Sequence, residues 1–425
     1  MMAMIRDSAQ GYILSALAVL VLPIGIFVPK GLAALFVAAA VFTLVAMLAD
    51  GERKVFHLNG TLKVFAGFLL FACLSSLWSL TPETSIYKAV VLSLSVACGL
   101  IMVFSAYSLT KYERDIFEGA MLWGGIFGFA LLGIELGGNA KITIFLRHLI
   151  GQKINGQGNL VPYLHAGVTV SSLYIWPWAI IVWRKWSWPV VVLLIVSVIS
   201  VFLISDVDAP MFGILMGVLI ATLVFAAPKY APAAVASLLV VGVVCAPLLP
   251  NLILSKVDAD TKPQYISASG YHRLIIWHAT VEKISGRPIL GSGFDTSRAM
   301  YNKTQKVRTT RYDKDGKPWW GVTSEPIPLH PHNGILQVWL ELGGAGALLL
   351  LVLLLLVVRN MQRNASSRLD RAVCFGGFIS VLVISSLSYG AWQSWWLATQ
   401  WFVAAFITAA TLVPGETRSN VTDLK

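Results

Sequence analysis

The chain has 425 residues, 57% of them apolar and only 12% charged, against roughly 25% charged in an ordinary soluble domain. So few charges cannot cover the two or three soluble domains that this length would hold at about 150 residues each; a soluble enzyme, a disordered chain and a disulfide scaffold are excluded. The net charge of +11 does not by itself point to nucleic acid, because basic residues collect in the cytoplasmic loops of membrane proteins and set their topology.

The apolar residues come in blocks of about 20, the length at which a helix crosses the hydrocarbon core. In chain order the blocks predict spans at 12–28, 31–48, 64–80, 89–107, 116–134, 163–183, 187–205, 210–227, 232–254, 332–358, 371–388 and 391–413. The fold class is thus an all-α polytopic membrane protein with about twelve transmembrane helices. Only Pro29 and Lys30 part the first two spans. The N-terminus carries Arg6 but no small-residue cleavage site after its apolar run, so the first span is expected to be retained. Cys73, Cys98, Cys245 and Cys374 all lie within or at the ends of apolar blocks and read as packing residues.

With the N-terminus inside, the inside segments hold fifteen basic residues and the short outside loops five. That bias predicts cytoplasmic termini. The remaining twelve basic residues sit with seven acidic ones in 255–331, a loop too long to be a mere connection. The expected division is therefore 1–254 with nine helices, 255–331 as a partly helical periplasmic loop domain, 332–413 with three helices, and a cytoplasmic tail at 414–425. Within the loop, Leu274, Ile275, Val281 and Ile284 beside Trp277 give an amphipathic helix over 271–284, which Gly286 and Pro288 end. Gly291 and Gly293 make a turn, Asp315-Gly316 marks another, and Trp319 and Trp320 suit a membrane interface. A second outside loop, about 135–162, is rich in glycine; its Arg147, His148 and Lys153 either join the same cavity or ride on a flexible connector.

Chemistry concentrates where the long loop enters the tenth span. His330 and His332 flank Pro331 there, and a neutral imidazole takes a proton at physiological pH. Asn333 either fixes a ring tautomer or caps the helix, and a histidine at a helix entrance serves equally as a cap. Glu341 lies about 13 Å further along the helix, an ionisable group at a depth where it is either functional or paired to a neighbour. Gly343, Gly344 and Gly346 would admit another helix closely. Arg273, with Arg287, Arg298, Arg308 and Arg311 downstream, supplies guanidinium forks suited to diphosphate oxygens. The pair Asp206 and Asp208 is too isolated for a metal site, and no nucleotide-binding loop or nucleophile elbow occurs. Neither a cofactor nor a metal is expected.

Three features together resemble the O-antigen ligase family of the bacterial O-antigen ligase/polymerase superfamily. They are His332-Asn333, nine residues, Gly343, two residues, Gly346; the run from Tyr271 to Trp277 followed by Arg287-Pro-Ile-Leu-Gly-Ser-Gly293; and twelve spans with one long outer loop before the tenth. The resemblance implies a GT-C-like glycosyltransferase of the inner membrane, independent of metal and inverting. Its substrates would be undecaprenyl-diphosphate-linked O-antigen and a sugar hydroxyl of lipid A–core, joined at the periplasmic face. Carried over by residue, His332 would be the general base and Arg273, less surely Arg287, would hold the leaving diphosphate. His330, Asn333, Arg147 and Lys153 complete the expected substrate-binding set.

One departure stands out. Relatives often carry a Ser-Arg pair near the outer end of a middle span, where this chain has Ser205-Asp-Val-Asp-Ala-Pro210. Either another cation substitutes, such as Arg147 or Lys153, or the alignment of that span fails. The rivals within the superfamily are O-antigen polymerase and the ligases that glycosylate pilin. A transporter of lipid-linked sugars should place charges at the midplane of several spans, and these spans are nearly charge-free.

Overall fold

A computed structural model of the chain describes residues 9–49, 60–149, 151, 159–205, 207–254, 268–301, 304–312 and 317–411. Lys153, Asp206 and the turn at Asp315-Gly316 lie outside the described residues. Helices occupy all twelve expected places: α1 (Ala9–Phe27), α2 (Gly31–Ala49), α3 (Gly60–Leu74), α4 (Pro82–Ser108), α5 (Lys111–Gly137), then the short α6 (Lys141–Leu149), α7 (His165–Lys185), α8 (Trp188–Ile204), α9 (Asp208–Ala226) and α10 (Ala231–Val244). After them come the short α11 (Leu249–Leu254), the loop helix α12 (Ala268–Gly286), and α13 (Gly334–Asn364), α14 (Arg368–Leu387) and α15 (Ser394–Thr411). Among the described residues, nine helical stretches are long and apolar enough to cross a membrane, and α8 and α10 are shorter apolar helices.

Local chemistry explains the boundaries. Pro29 and Lys30 separate α1 from α2 as two helices, with the Gly31 amide turning back onto the Val28 carbonyl at 2.7 Å. The ninth span was expected to run to 254 but stops at Val244. Pro247 and Pro250 follow at once; proline lacks the amide donor and clashes with the preceding turn, so the chain restarts as α11. Thr110 and Glu113 form a capping box on α5, and Glu113 also accepts from the Gly11 amide at 3.2 Å, tying α5 to α1.

The core is built around α7, whose residues from Gly167 to Trp178 are all buried. Its Trp178 and Tyr174 pack with Phe129, and Trp176 donates to Ser380 on α14 at 2.9 Å. Large apolar side chains stay exposed on the outer helices, Phe42 and Leu94 among them, as a hydrocarbon environment allows.

The expected loop helix is present and slightly longer than 271–284. Its inward face carries Leu274, Ile276, Val281 and Ile284, so Ile276 rather than Ile275 is the fully buried member. Of these, Val281 and Ile284 join Ala279, Met300, Ile327, Leu336 and Leu340 in a small core that seats the loop on α13. The all-α expectation needs one correction. Strands β1 (Val307–Tyr312) and β2 (Pro318–Ser324) pair antiparallel, with Val307 opposite Ser324 and Arg311 opposite Trp320. The run Val307-Arg-Thr-Thr-Arg-Tyr is rich in β-branched and aromatic residues, which favour strands.

Candidate functional site

Two loop motifs dock into one another. Gly343 has φ +62° and breaks α13 into two helices across a kink. The segment after α12 threads through that break. Ser292 and Gly293 amides donate to the Leu340 and Glu341 carbonyls at 3.1 and 2.8 Å, while Gly344 and Ala345 amides donate to Pro288 and Ile289 at 2.8 and 3.1 Å. A Cβ on Gly343 would run into the Ile289 carbonyl, and one on Gly291 (φ +69°) into the Glu341 backbone. The close neighbour expected at these glycines was a helix; it is the turn-rich loop segment 288–293, which satisfies the backbone groups that the unwound turn of α13 leaves unpaired.

Glu341 secures the same segment from below. It is fully buried and accepts from the Asp295 amide at 2.8 Å, the Ser297 hydroxyl at 2.5 Å, the Gln337 amide at 3.0 Å and Trp392 Nε1 at 2.7 Å. Of the two readings open for Glu341, pairing is the one found, to a loop rather than to a helix.

Above this anchor, five segments converge: the first turns of α7 and α9, α12, the approach to α13, and the α14–α15 connector. His332 has φ +55°, a left-handed conformation uncommon outside glycine but tolerated by histidine more than by most residues. Its Nδ1 lies 2.5 Å from the Ser388 carbonyl. A carbonyl only accepts, so Nδ1 carries the proton and Nε2 of the neutral ring keeps its lone pair. Burial pulls the His332 pKa below the usual imidazole value, the Ser388 hydrogen bond opposes that, and Arg273 and His272 add to the lowering. His332 is therefore neutral at physiological pH, with one nitrogen available as a base.

Arg273 stands on α12 beside it, half-buried. Burial pushes its guanidinium below the ordinary arginine range, while Asp208 at the start of α9 draws it back up, and Tyr389 acts the same way. Tyr389 is itself held by Thr169 of α7 at 2.9 Å and packs against Trp395 and Trp396. Among the described residues Arg273 makes no hydrogen bond or ion pair.

His330 is more deeply buried, 6% exposed. Its Nδ1 accepts from the His332 amide at 3.1 Å and its Nε2 meets the Gln393 side-chain amide at 3.1 Å. Burial, then His332 and Arg298, pull its pKa down to about 3. The two rings, one residue apart across Pro331, have centroids 4.3 Å apart, because the left-handed turn at His332 folds the chain back. Asn333 is the cap, its Oδ1 accepting from the Leu336 amide at 3.0 Å; the tautomer is set by Ser388.

Of the other expected cations among the described residues, Arg298 acts on His330, while Arg287 and Arg147 have partners of their own. Arg287 follows the far end of α12, fourteen residues on, which is about 21 Å along a helix; its Nη1 reaches the Trp78 carbonyl at 3.4 Å. Arg147, on α6, donates to the Tyr163 carbonyl at 3.4 Å and stacks over the Tyr163 ring. That places it near the N-terminal end of α7, the end that bears Thr169. Among the described residues, no three His, Cys, Asp or Glu side chains are grouped as metal ligands. Sequence reading missed the electrostatic influence of Asp208 on Arg273, and Thr169, Ser388, Tyr389 and Gln393 altogether. The last three had one signal, the polar, glycine-containing run Ser388-Tyr-Gly-Ala-Trp-Gln393 interrupting two apolar blocks.

Comparison with known proteins covers this same region. A family model described as O-antigen ligase matches residues 165–351, from the start of α7 into α13, and so takes in Thr169, Asp208, Arg273 and His332. A protein of Rickettsia bellii provisionally named a polysaccharide ligase is 27% identical over 344 residues, covering 80% of this chain and 77% of that one. A Rickettsia felis protein of the same name is 26% identical over 352 residues, covering 82% and 80%. The kinked glycine helix, the threaded loop and the histidine at its mouth all fall inside the region over which the chain is similar to the O-antigen ligase family.

Proposed function

We propose that the protein is an inverting, metal-independent glycosyltransferase of GT-C type that transfers undecaprenyl-diphosphate-linked O-antigen to a sugar hydroxyl of lipid A–core. The observation that carries this reading is His332: a neutral imidazole with Nδ1–H held on the Ser388 carbonyl, Nε2 available, and the Arg273 guanidinium beside it. His332 Nε2 takes the proton of the acceptor hydroxyl as the oxygen attacks the anomeric carbon. The bond between the anomeric carbon and the diphosphate oxygen, on the opposite face, breaks, and its electron pair leaves with that oxygen on the lipid diphosphate. Arg273 faces that developing charge with preorganised donors in a half-buried site, where electrostatic stabilisation is strongest. Arg287, about 21 Å along the helix axis from Arg273, is left with a role outside the diphosphate contact. Arg147 remains a candidate for the more distant substrate sugars.

The setting is a multi-pass membrane protein, and the inner membrane with a periplasm-facing site is the location in which such lipid substrates meet. Purified protein, lipid-linked O-antigen and lipid A–core, mixed without metal or nucleotide, should give the joined glycolipid. Lengthened lipid-linked glycan from donor alone would instead identify a polymerase, and no reaction in either assay would remove the transferase reading.

A further inference from the structure

We infer that His330 is a positioning residue: its Nδ1 holds the His332 amide and so fixes the left-handed turn that points His332 Nε2 into the site. The inference rests on the reading of His332 as the base. A non-glycine residue at φ +55° persists only where its surroundings over-determine it, at a cost on the order of 1–3 kcal/mol. Four holds are visible. Ser388 fixes the ring at 2.5 Å, Asn333 caps the following helix, Trp277 Nε1 donates to the Pro331 carbonyl at 2.9 Å, and His330 Nδ1 accepts the His332 amide at 3.1 Å. The last two grip opposite ends of the peptide that enters the strained residue, and only His330 takes the His332 amide itself.

His330 is in turn oriented from its other side. Because Nδ1 accepts, the neutral ring carries its proton on Nε2. The atom 3.1 Å from that nitrogen is Gln393 Nε2; two donors cannot bond, so the amide is turned to present its oxygen there. Gly390 packs flat against the ring: a Cβ there would come within 2.9 Å of His330 Cδ2. With 6% exposure and both ring nitrogens engaged, His330 has no face left for substrate. The α14–α15 connector therefore grips both histidines, His332 through Ser388 and His330 through Gln393 and Gly390.

The test uses intact protein in lipid nanodiscs with lipid-linked glycan as donor. Asparagine places an acceptor where His330 Nδ1 stands, and glutamine places one nearer Nε2. His330→Ala should lower kcat about 10²-fold with donor KM within about twofold, the loss typical of a displaced catalytic group. His330→Asn should recover most of that loss and His330→Gln should not. Correlated ¹⁵N–¹³C spectra of histidine-labelled protein provide a second readout, with the His332 signals assigned by their absence in His332→Ala. They should show the Nδ1–H tautomer of His332 in wild type and His330→Asn, and a mixture in His330→Gln. A folded His330→Asn as slow as His330→Ala, a His330→Gln as fast as His330→Asn, or wild-type kcat in His330→Ala would each overturn the inference. If His330→Ala does not fold, the asparagine and glutamine pair decides alone. Full turnover in His332→Ala would sink the base itself, and is distinguishable because it leaves the His330 series without a target.

Discussion

At the scale of single residues, the proposed chemistry divides between a base and a cation. A sugar hydroxyl is a weak nucleophile until its proton is being removed, and a positioned base contributes about 10²–10⁴-fold. His332→Ala should therefore cost about 3–5 kcal/mol of transition-state stabilisation, at about 1.36 kcal/mol per tenfold in rate. Donor binding should survive, since Arg273 stands on another element. Single-turnover rates alongside donor affinity check both halves; a well-folded variant with normal turnover ends the proposal. Arg273→Lys should recover only part of what Arg273→Ala loses, because an ammonium cannot form a bidentate fork with diphosphate oxygens. The direction of the His332 shift adds a pH signature. Burial holds its pKa below the ordinary imidazole value near 6.5, so the base stays competent as pH falls through that value. The acid limb of kcat/KM should lie below pH 6.5, and a limb above it would contradict a buried neutral ring. The sign for stability is the same: the unfolded chain binds a proton first, so acid below about pH 6.5 favours unfolding.

At the scale of elements, the interlock between the α12–β1 segment and the α13 kink makes Gly291 and Gly343 intelligible. Gly343 needs φ +62° and also the space that the Ile289 carbonyl fills. Gly343→Ala meets both obstacles, and a left-handed non-glycine residue alone costs of order 1–3 kcal/mol. It should lower the melting temperature and abolish transfer together, whereas Gly60→Ala, where a Cβ meets nothing within 4 Å, should do neither. Equal melting profiles would show that the kink is dispensable. The helices themselves were legible because apolar blocks of about 20 residues have few alternatives in a bilayer. The loop helix was legible from its apolar spacing, off by one residue in Ile276. The hairpin was hidden by attention to its turn, although Val307-Arg-Thr-Thr-Arg-Tyr carried a strand signal. What could not be read was pairing across distance: nothing local in Ser388 or Gln393 says that a helix connector more than fifty residues away fixes two histidines. Nor does the sequence spacing of Arg287 and Arg273 show their separation until a helix is laid between them.

For the whole molecule, the proposal depends on which side of the membrane the site faces. His332, Arg273, Thr169 and the α14–α15 connector sit together at one end of the bundle. At the other end Arg184 pairs with Asp370 and donates to the Ala410 carbonyl, while Lys185 meets Glu118 at 2.9 Å. That second end carries the basic clusters at the C-terminus of α7 and the start of α14, which a positive-inside distribution assigns to the cytoplasm. On that distribution we propose that the site end is periplasmic, where a lipid-linked glycan already moved across the membrane would meet its acceptor. A reporter is available at Lys306, exposed just before β1. The native thiols are half-buried or buried and can be replaced beforehand. Lys306→Cys in intact cells with a permeabilised outer membrane should react with a membrane-impermeant maleimide, and a cysteine at Lys111, exposed at the opposite end, should react only after the inner membrane is opened. The reverse pattern would put His332 in the cytoplasm, away from both proposed substrates, and no transfer from the outer leaflet could then be assigned to it.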